Sequence, residues 1–412
     1  MIGRWQHPRI DKPDVFRQES WARWVQTRSD RVTLRPPLLA RSAYDALELQ
    51  DRADYDDARK IANSNLPVKD TPMAAGVGLA FQLLSTRNSF DGNPGVRMGM
   101  FLSGSSGGLG KSTFAMELAA RFEENTRARA DLFNPPEAHR DLWIPVVYVA
   151  LPTNVTVKGL CKTILLFYGE RPAPGLTEVE LASLVRETVH DCGTLLIVID
   201  DITRLRMERE AHQDTADAIR ELQETGATIL GIGIDIATSG LLFERGRKAT
   251  ARRRETPAQS TERKRAANLK TQTRRRFKLK SLHPFTYDAD SDAAAWAAHL
   301  ASVEEDLLLL DQQPGDLVDL AEYLFQRTQG FLGSLNELIG EACILAILTG
   351  QERLTEALLD NVELDEAAES QEEDPVDDIE EHVVKATQKQ GARQRKKSGV
   401  WNGDNPANCG AA

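Results

Sequence analysis

Residues Gly104-Ser105-Ser106-Gly107-Gly108-Leu109-Gly110-Lys111-Ser112-Thr113 decide how the rest of the chain is read. Before them, Val96 to Leu102 is a short, mostly apolar run that reads as a buried strand. After them, Phe114, Ala115, Leu118, Ala119 and Phe122 recur at helical spacing. A strand therefore passes through a glycine-rich loop into a helix. Gly107, Gly108 and Gly110 let backbone N–H groups turn inward around an anion, and the helix start adds unpaired donors and the positive end of its dipole. Such a loop, with Ser105, Ser106, Leu109 and Thr113 completing the cradle, grips the phosphates of ATP. Lys111 would reach the β- and γ-phosphates and Ser112 would ligate Mg²⁺.

The pattern G-x-x-x-x-G-K-[ST] places its first glycine where Ser105 stands, and Gly104 lies one residue too early. Either the loop is one residue longer or Ser105 substitutes. The same residues also fit G-x-S-x-G, the nucleophile elbow of serine hydrolases, through Ser106, but that reading leaves Lys111 unexplained.

Downstream, Thr194-Leu-Leu-Ile-Val-Ile-Asp-Asp201 is an apolar strand ending in two carboxylates. Paired with Lys111, it reads as the element that delivers Asp200 beside the bound Mg²⁺. Ile144 to Leu151 and Ala227 to Asp235 are further buried strands, with helices expected over about 156–168, 177–190 and 215–225. Asp235 ends its strand where a γ-phosphate sensor would lie, although a strand-end aspartate is as often simply on the surface. Strands alternating with helices predict an α/β core with a parallel sheet flanked by helices.

The organisation follows from composition. Residues 1–75 read as an N-terminal helical extension, 76–243 as the α/β core, 244–280 as a basic insertion, 281–362 as a small helical lid and 363–412 as a disordered charged tail. In the lid, Ser334 and Glu337 have capping-box spacing before an apolar stripe. The net charge of -11 hides a strong polarity: residues 244–280 carry fifteen Lys or Arg against three Glu, whereas 363–381 carry eleven Asp or Glu. The runs Arg252, Arg253, Arg254, then Arg263, Lys264, Arg265, then Arg274, Arg275, Arg276 can neutralise successive phosphates of double-stranded DNA. Four scattered cysteines and seven histidines form no metal-site spacing, so no metal beyond Mg²⁺ is expected. Met1 to Arg9 has no apolar leader core and no uninterrupted apolar run reaches spanning length, which predicts a cytoplasmic protein without a membrane partner.

The order of glycine loop, acidic strand, sensor-like strand and helical lid resembles an AAA+ P-loop NTPase. The finer wording is similar to the TniB/TnsC family of transposition ATPases. It lies in Pro145-Val-Val-Tyr-Val-Ala-Leu-Pro-Thr153, Leu195-Leu-Ile-Val-Ile-Asp-Asp-Ile202, Gly231-Ile-Gly-Ile-Asp235, Gly240-Leu-Leu-Phe243, Arg276-Phe277, Pro284-Phe285 and Arg327-Thr-Gln-Gly-Phe-Leu-Gly-Ser-Leu-Asn-Glu-Leu-Ile339. The resemblance covers about residues 76–360. It implies ATP and Mg²⁺ as cofactors, oligomers or filaments on target DNA, and a DDE transposase or integrase as partner. It places Asp201 where a catalytic Glu would stand, Asp235 at the first sensor and Arg276 as a finger acting on a neighbouring subunit. Asp201 is one methylene shorter than Glu, which implies slow hydrolysis, and the segment from Gly330 to Leu335 lacks the second sensor's basic residue. Two other ATPase readings share the core: a signalling or helicase-loader switch acting on a protein, and a ParA-like partition ATPase. The latter carries a lysine where Ser106 stands.

Overall fold

Four short runs are apolar enough to be buried on both faces, which is what the interior of a parallel sheet covered by helices demands. The computed structural model describes residues 17–28, 35–92, 97–133, 143–153, 155–205, 218–219, 221–239 and 276–364. Helices α1 (Gln18–Thr27), α2 (Arg41–Asp45), α3 (Leu49–Ser64) and α4 (Pro72–Phe90) precede strand β1 (Gly99–Gly104). Then come α5 (Lys111–Ala128), the short α6 (Ala130–Phe133), β2 (Val146–Ala150), α7 (Val157–Phe167), α8 (Glu178–Asp191) and β3 (Leu196–Asp200). Strands β4 (Thr228–Ile234) and β5 (Phe277–Leu282) complete the sheet. The lid contains α9 (Asp290–Glu304), α10 (Asp316–Asp319), α11 (Ala321–Thr328), α12 (Leu332–Thr349) and α13 (Glu356–Leu359).

The strand order is β2-β3-β4-β1-β5, and every pairing is parallel. Only β4 separates β1 from β3, so the loop after β1 and the carboxylates after β3 lie two strand spacings apart, about 10 Å. Local chemistry sets the helix starts. Thr71 caps α4 ahead of Pro72, Thr156 caps α7, and Thr177 with Glu180 forms a reciprocal capping box on α8.

The N-terminal residues join both halves of the molecule. Trp21 and Trp24 of α1 are buried in the core beneath the sheet helices. Helix α3 packs instead on α12 of the lid. There the fully buried Arg59 holds Glu352 through two bonds of 2.6 and 2.8 Å and Asp56 through one of 2.5 Å.

Two features differ from the sequence expectation, and a third, a helix property, needs its setting to be read. Strand β5 begins inside the segment read as a basic insertion, because its middle residues Lys278, Leu279, Lys280 and Ser281 are exposed while Phe277 and Leu282 are buried. A short, lysine-bearing strand is how a sheet edge is protected. The Ser334/Glu337 capping box does not form: α12 starts at Leu332 with Phe331 as cap and no side-chain bond. The Gly333 amide donates to the Gly108 carbonyl at 2.7 Å, so a carbonyl of the glycine loop satisfies a first-turn donor. Finally, α12 is apolar and long enough to pass a length-and-composition test for a membrane span. It is the central helix of the lid, with Leu335, Leu338, Ile339, Ala342 and Cys343 buried.

The basic runs from Arg252 to Arg275, residues 215–217 and 220 of the helix expected over about 215–225, and the charged tail from residue 365 lie outside the described residues, while 218–219 and 221–224 are helical. Arg276 lies within them.

Candidate functional site

Strand β1 ends at Gly104, residues 105–110 form the loop and α5 begins at Lys111. Gly108 and Gly110 have φ of 69° and 70°, the left-handed region in which a side chain is strained. The early glycine also finds its reason. A Cβ on Gly104 would lie 2.7 Å from Leu109 Cδ1 and 2.9 Å from Lys111 Cδ. Gly104 is therefore the strand end over which Lys111 folds back, and exposed Ser105 takes the first position of the loop.

The loop opens onto a cavity of about 190 Å³ lined by residues 107–113, Asp200, Asp201 and the β4 residues Ile232 to Ile234. Lys111 is buried and its Nζ donates to the Ser106 carbonyl. Burial holds this ammonium below its usual pKa, while Asp200, Asp201 and Asp235 pull it back up. Among the described residues this buried cation bonds a neutral carbonyl and no anion, the state a phosphate would relieve. Ser112 and Thr113 are exposed at the helix start.

Asp200 is buried, and both its oxygens are engaged: Oδ1 accepts from the Asp201 amide at 2.8 Å and Oδ2 from the Tyr148 hydroxyl at 2.8 Å. Each carboxylate oxygen retains a free lone pair. Asp201 adopts φ 54°, and its Oδ2 lies 3.1 Å from an Arg204 guanidinium nitrogen. Burial and the neighbouring Asp200 raise the Asp201 pKa, against smaller opposing effects of Arg204 and Lys111. These residues fit a Mg²⁺-nucleotide: glycine amides and Lys111 for phosphate, the Ser112 hydroxyl and Asp200 for the metal.

Not every expected residue converges. Asp235 is exposed and is not among the cavity-lining residues; its amide donates to the Gly104 carbonyl at 2.9 Å, and its carbonyl accepts from the Thr238 and Ser239 amides. It acts on Lys111 only through its charge. Arg276 stands just before β5. Because Phe277 pairs with Gly99, six residues ahead of the loop serine, Arg276 sits at the opposite end of the sheet, about 20 Å away along the strands. It does not reach the cavity of its own subunit. Its carbonyl accepts from buried Gln223 at 3.4 Å.

Residues not foreseen also meet here. Tyr148 lies inside an apolar strand, where a tyrosine reads as core. The lid reaches the loop through Gly333, whose Cβ would meet the Gly108 carbonyl oxygen at 2.8 Å, and through Phe331, 3.7 Å from a Cβ on Gly108. The glycine pair Gly330 and Gly333 was visible in the sequence, but what it approaches was not.

Residues 97–233 match the family described as an AAA domain. That match, the glycine loop after β1, the acidic end of β3 and the parallel order β2-β3-β4-β1-β5 define an AAA+ P-loop fold followed by a helical region. No curated protein matches the chain by sequence. Among solved structures, the ORC2 protein of Aeropyrum pernix in ADPNP-ADP complexes is 14% identical, with a TM-score of 0.47 over 73% of this chain and 70% of that one. The ORC1 protein of Aeropyrum pernix in complex with DNA is 17% identical, with a TM-score of 0.47 over 73% and 68%. Domain III of the Thermotoga maritima replication initiation protein DnaA is 12% identical, with a TM-score of 0.37 over 72% and 92%.

Proposed function

We propose that the protein is an ATP-dependent, DNA-binding regulator of transposition, which assembles on target DNA in the cytoplasm and recruits and stimulates a DDE transposase. The observation that carries the nucleotide part is the convergence of Lys111, Ser112, Asp200 and Asp201 on one cavity at the end of β1 and β3. Loop amides and Lys111 hold the triphosphate, Ser112 and Asp200 hold Mg²⁺, and Asp201 orients the attacking water. Bound Mg²⁺ would neutralise charge on the phosphates as the terminal bond breaks. Asp201 is short for this task and tied to Arg204, so hydrolysis is slow and the ATP-bound assembly is long-lived. Arg276, remote from its own cavity, serves the site of a neighbouring copy. The transposition part rests on the sequence resemblance to TniB/TnsC, and the DNA part on the basic runs from Arg252 to Arg275.

The test is assembly on DNA, imaged by negative stain with a non-hydrolysable ATP analogue. Wild type should form nucleotide-dependent oligomers on duplex DNA, and Lys111→Ala should form none. Absence of assembly by wild type, or undiminished assembly by Lys111→Ala, refutes the proposal. Neutralising Arg252 to Arg254 with Arg274 and Arg275 should abolish DNA-bound assembly; if it leaves ATP-dependent function intact, the helicase-loader or signalling reading replaces it.

A further inference from the structure

A line of contacts runs from the N-terminal helix into the metal side of the cavity. The Tyr148 hydroxyl lies 2.8 Å from Asp200 Oδ2 and 3.5 Å from the Ser112 carbonyl, between the two residues suited to hold Mg²⁺. Its ring is stacked on Trp21 of α1, with centroids 5.3 Å apart and planes 12° from parallel. Trp21 is itself fixed: its Nε1 donates to Glu123 Oε2 of α5 at 2.6 Å, and Glu123 is buried and held by Arg127 through its other oxygen at 2.8 Å. Arg28, one residue past α1, adds ion-pair contacts of 3.4 and 3.7 Å to Glu117 and Glu124 of the same helix. Thus α1 grips the helix that starts at the glycine loop and presses one indole against the tyrosine that bonds the Asp200 carboxylate.

The hydroxyl's chemistry is unambiguous. An ionised carboxylate can only accept, so the hydroxyl is the donor in this bond. It orients Oδ2, while the Asp201 amide orients Oδ1. A carboxylate tied at both oxygens cannot rotate about its Cβ–Cγ bond without breaking a charge-assisted hydrogen bond. Groups that orient a metal ligand in this way set metal affinity without touching the metal.

We propose that Tyr148 is a positioning residue for the metal-binding carboxylate of Asp200, and that Trp21 holds it there, so that the N-terminal helix sets the metal affinity of the nucleotide site. This rests on the Mg²⁺-nucleotide reading above. The readout is Mn²⁺ occupancy, measured by electron paramagnetic resonance on full-length protein loaded with a non-hydrolysable ATP analogue, beside nucleotide affinity in EDTA. Tyr148→Phe keeps the ring and its stack and removes only the hydroxyl. It should raise the Mn²⁺ concentration for half-occupancy roughly tenfold and leave metal-free nucleotide affinity unchanged. Trp21→Leu should shift the midpoint in the same direction by a smaller factor, and Trp21→Phe, which keeps an aromatic face, should restore most of it.

The double variant Tyr148→Phe with Trp21→Leu should shift no further than Tyr148→Phe alone, because the indole acts through the hydroxyl. An unchanged midpoint in Tyr148→Phe overturns the proposal, as does a Trp21→Leu shift that adds in full to it. Should Trp21→Leu not fold, Tyr148→Phe and Trp21→Phe still decide the matter. If wild type binds no nucleotide at all, it is the Mg²⁺-nucleotide reading that falls.

Discussion

Acidification should loosen the lid through one histidine. His299 of α9 is 8% exposed, and among the described residues neither ring nitrogen has a hydrogen-bond partner. Its ring packs 5.2 Å from that of Phe285 and 6.3 Å from that of Trp296. Burial first, and the charge of Lys69 second, depress its pKa from 6.5 to about 4. An unfolded chain takes up the proton near pH 6.5, whereas the folded lid resists it until about pH 4. Between those values the unfolded state binds more protons, so stability is intact above the window and falls as the pH drops through it. The full interval, at about 1.4 kcal/mol per pH unit, corresponds to about 3 kcal/mol, of which roughly 2.5 kcal/mol is lost by pH 4.5. Urea unfolding at pH 7 and at pH 4.5 measures this loss. His299→Phe puts a ring of similar size against Phe285 and Trp296 and cannot titrate, so its loss over the same interval should be smaller by about that amount. It should also be no less stable at pH 7, since it removes two unpartnered nitrogens from the interior. Parallel losses in wild type and His299→Phe would refute the argument.

Two further outcomes concern the cavity itself. Gly333→Ala places a methyl 2.8 to 3.2 Å from backbone atoms of Gly108. The glycine loop must then shift at a cost of about 1–3 kcal/mol, and affinity for a fluorescent ATP analogue should fall about tenfold. Gly340→Ala on the same helix, where no atom lies closer than 3.7 Å, should leave the affinity unchanged. In the second, ATP hydrolysis should lose its rate on acidification at a higher pH than an ordinary aspartate would dictate. The raised pKa of Asp201 keeps its inactive, protonated form populated further upward. Asp201→Asn should abolish hydrolysis while leaving nucleotide binding in place, and an acid limb no higher than that of an ordinary aspartate counts against Asp201 as the group that orients water.

What could be read in the sequence was what local chemistry controls. The glycine loop, the buried strands β1 to β4 and the acidic end of β3 follow from runs of neighbouring residues, and the strand limits moved by only a few positions. Strand β5 escaped because an edge strand with exposed lysines has the composition of the basic run beside it. The capping box failed because a backbone carbonyl far away in sequence, that of Gly108, does the capping. Tyr148 escaped for a related reason: its role depends on which strand lies next to β3, and strand order is not written in any single run. The misplaced glycine is the clearest case, since only the fold shows that the Leu109 and Lys111 side chains pass over Gly104 and occupy the space a Cβ would take.

The same long-range logic changes how the N-terminal residues are understood. Composition marks them as an extension, and the fold gives its docking points: α1 is locked to the core through Trp21 and α3 to the lid through Arg59. A buried ion pair such as Arg59 with Glu352 adds little net stability compared with an apolar substitute, but breaking one side of it leaves an uncompensated charge. Its effect is therefore to enforce one arrangement: Arg59 also donates to the Leu308 carbonyl, and Asn63, one turn further on, both donates to that carbonyl and accepts the Leu308 amide. Helix α3 can only move with the lid. Meanwhile α12 touches the glycine loop at Gly108, and α1 touches the helix that begins at that loop. The cavity is thus braced from two sides, by the lid at Gly108 and by α1 through α5, and the N-terminal residues are bonded to both braces.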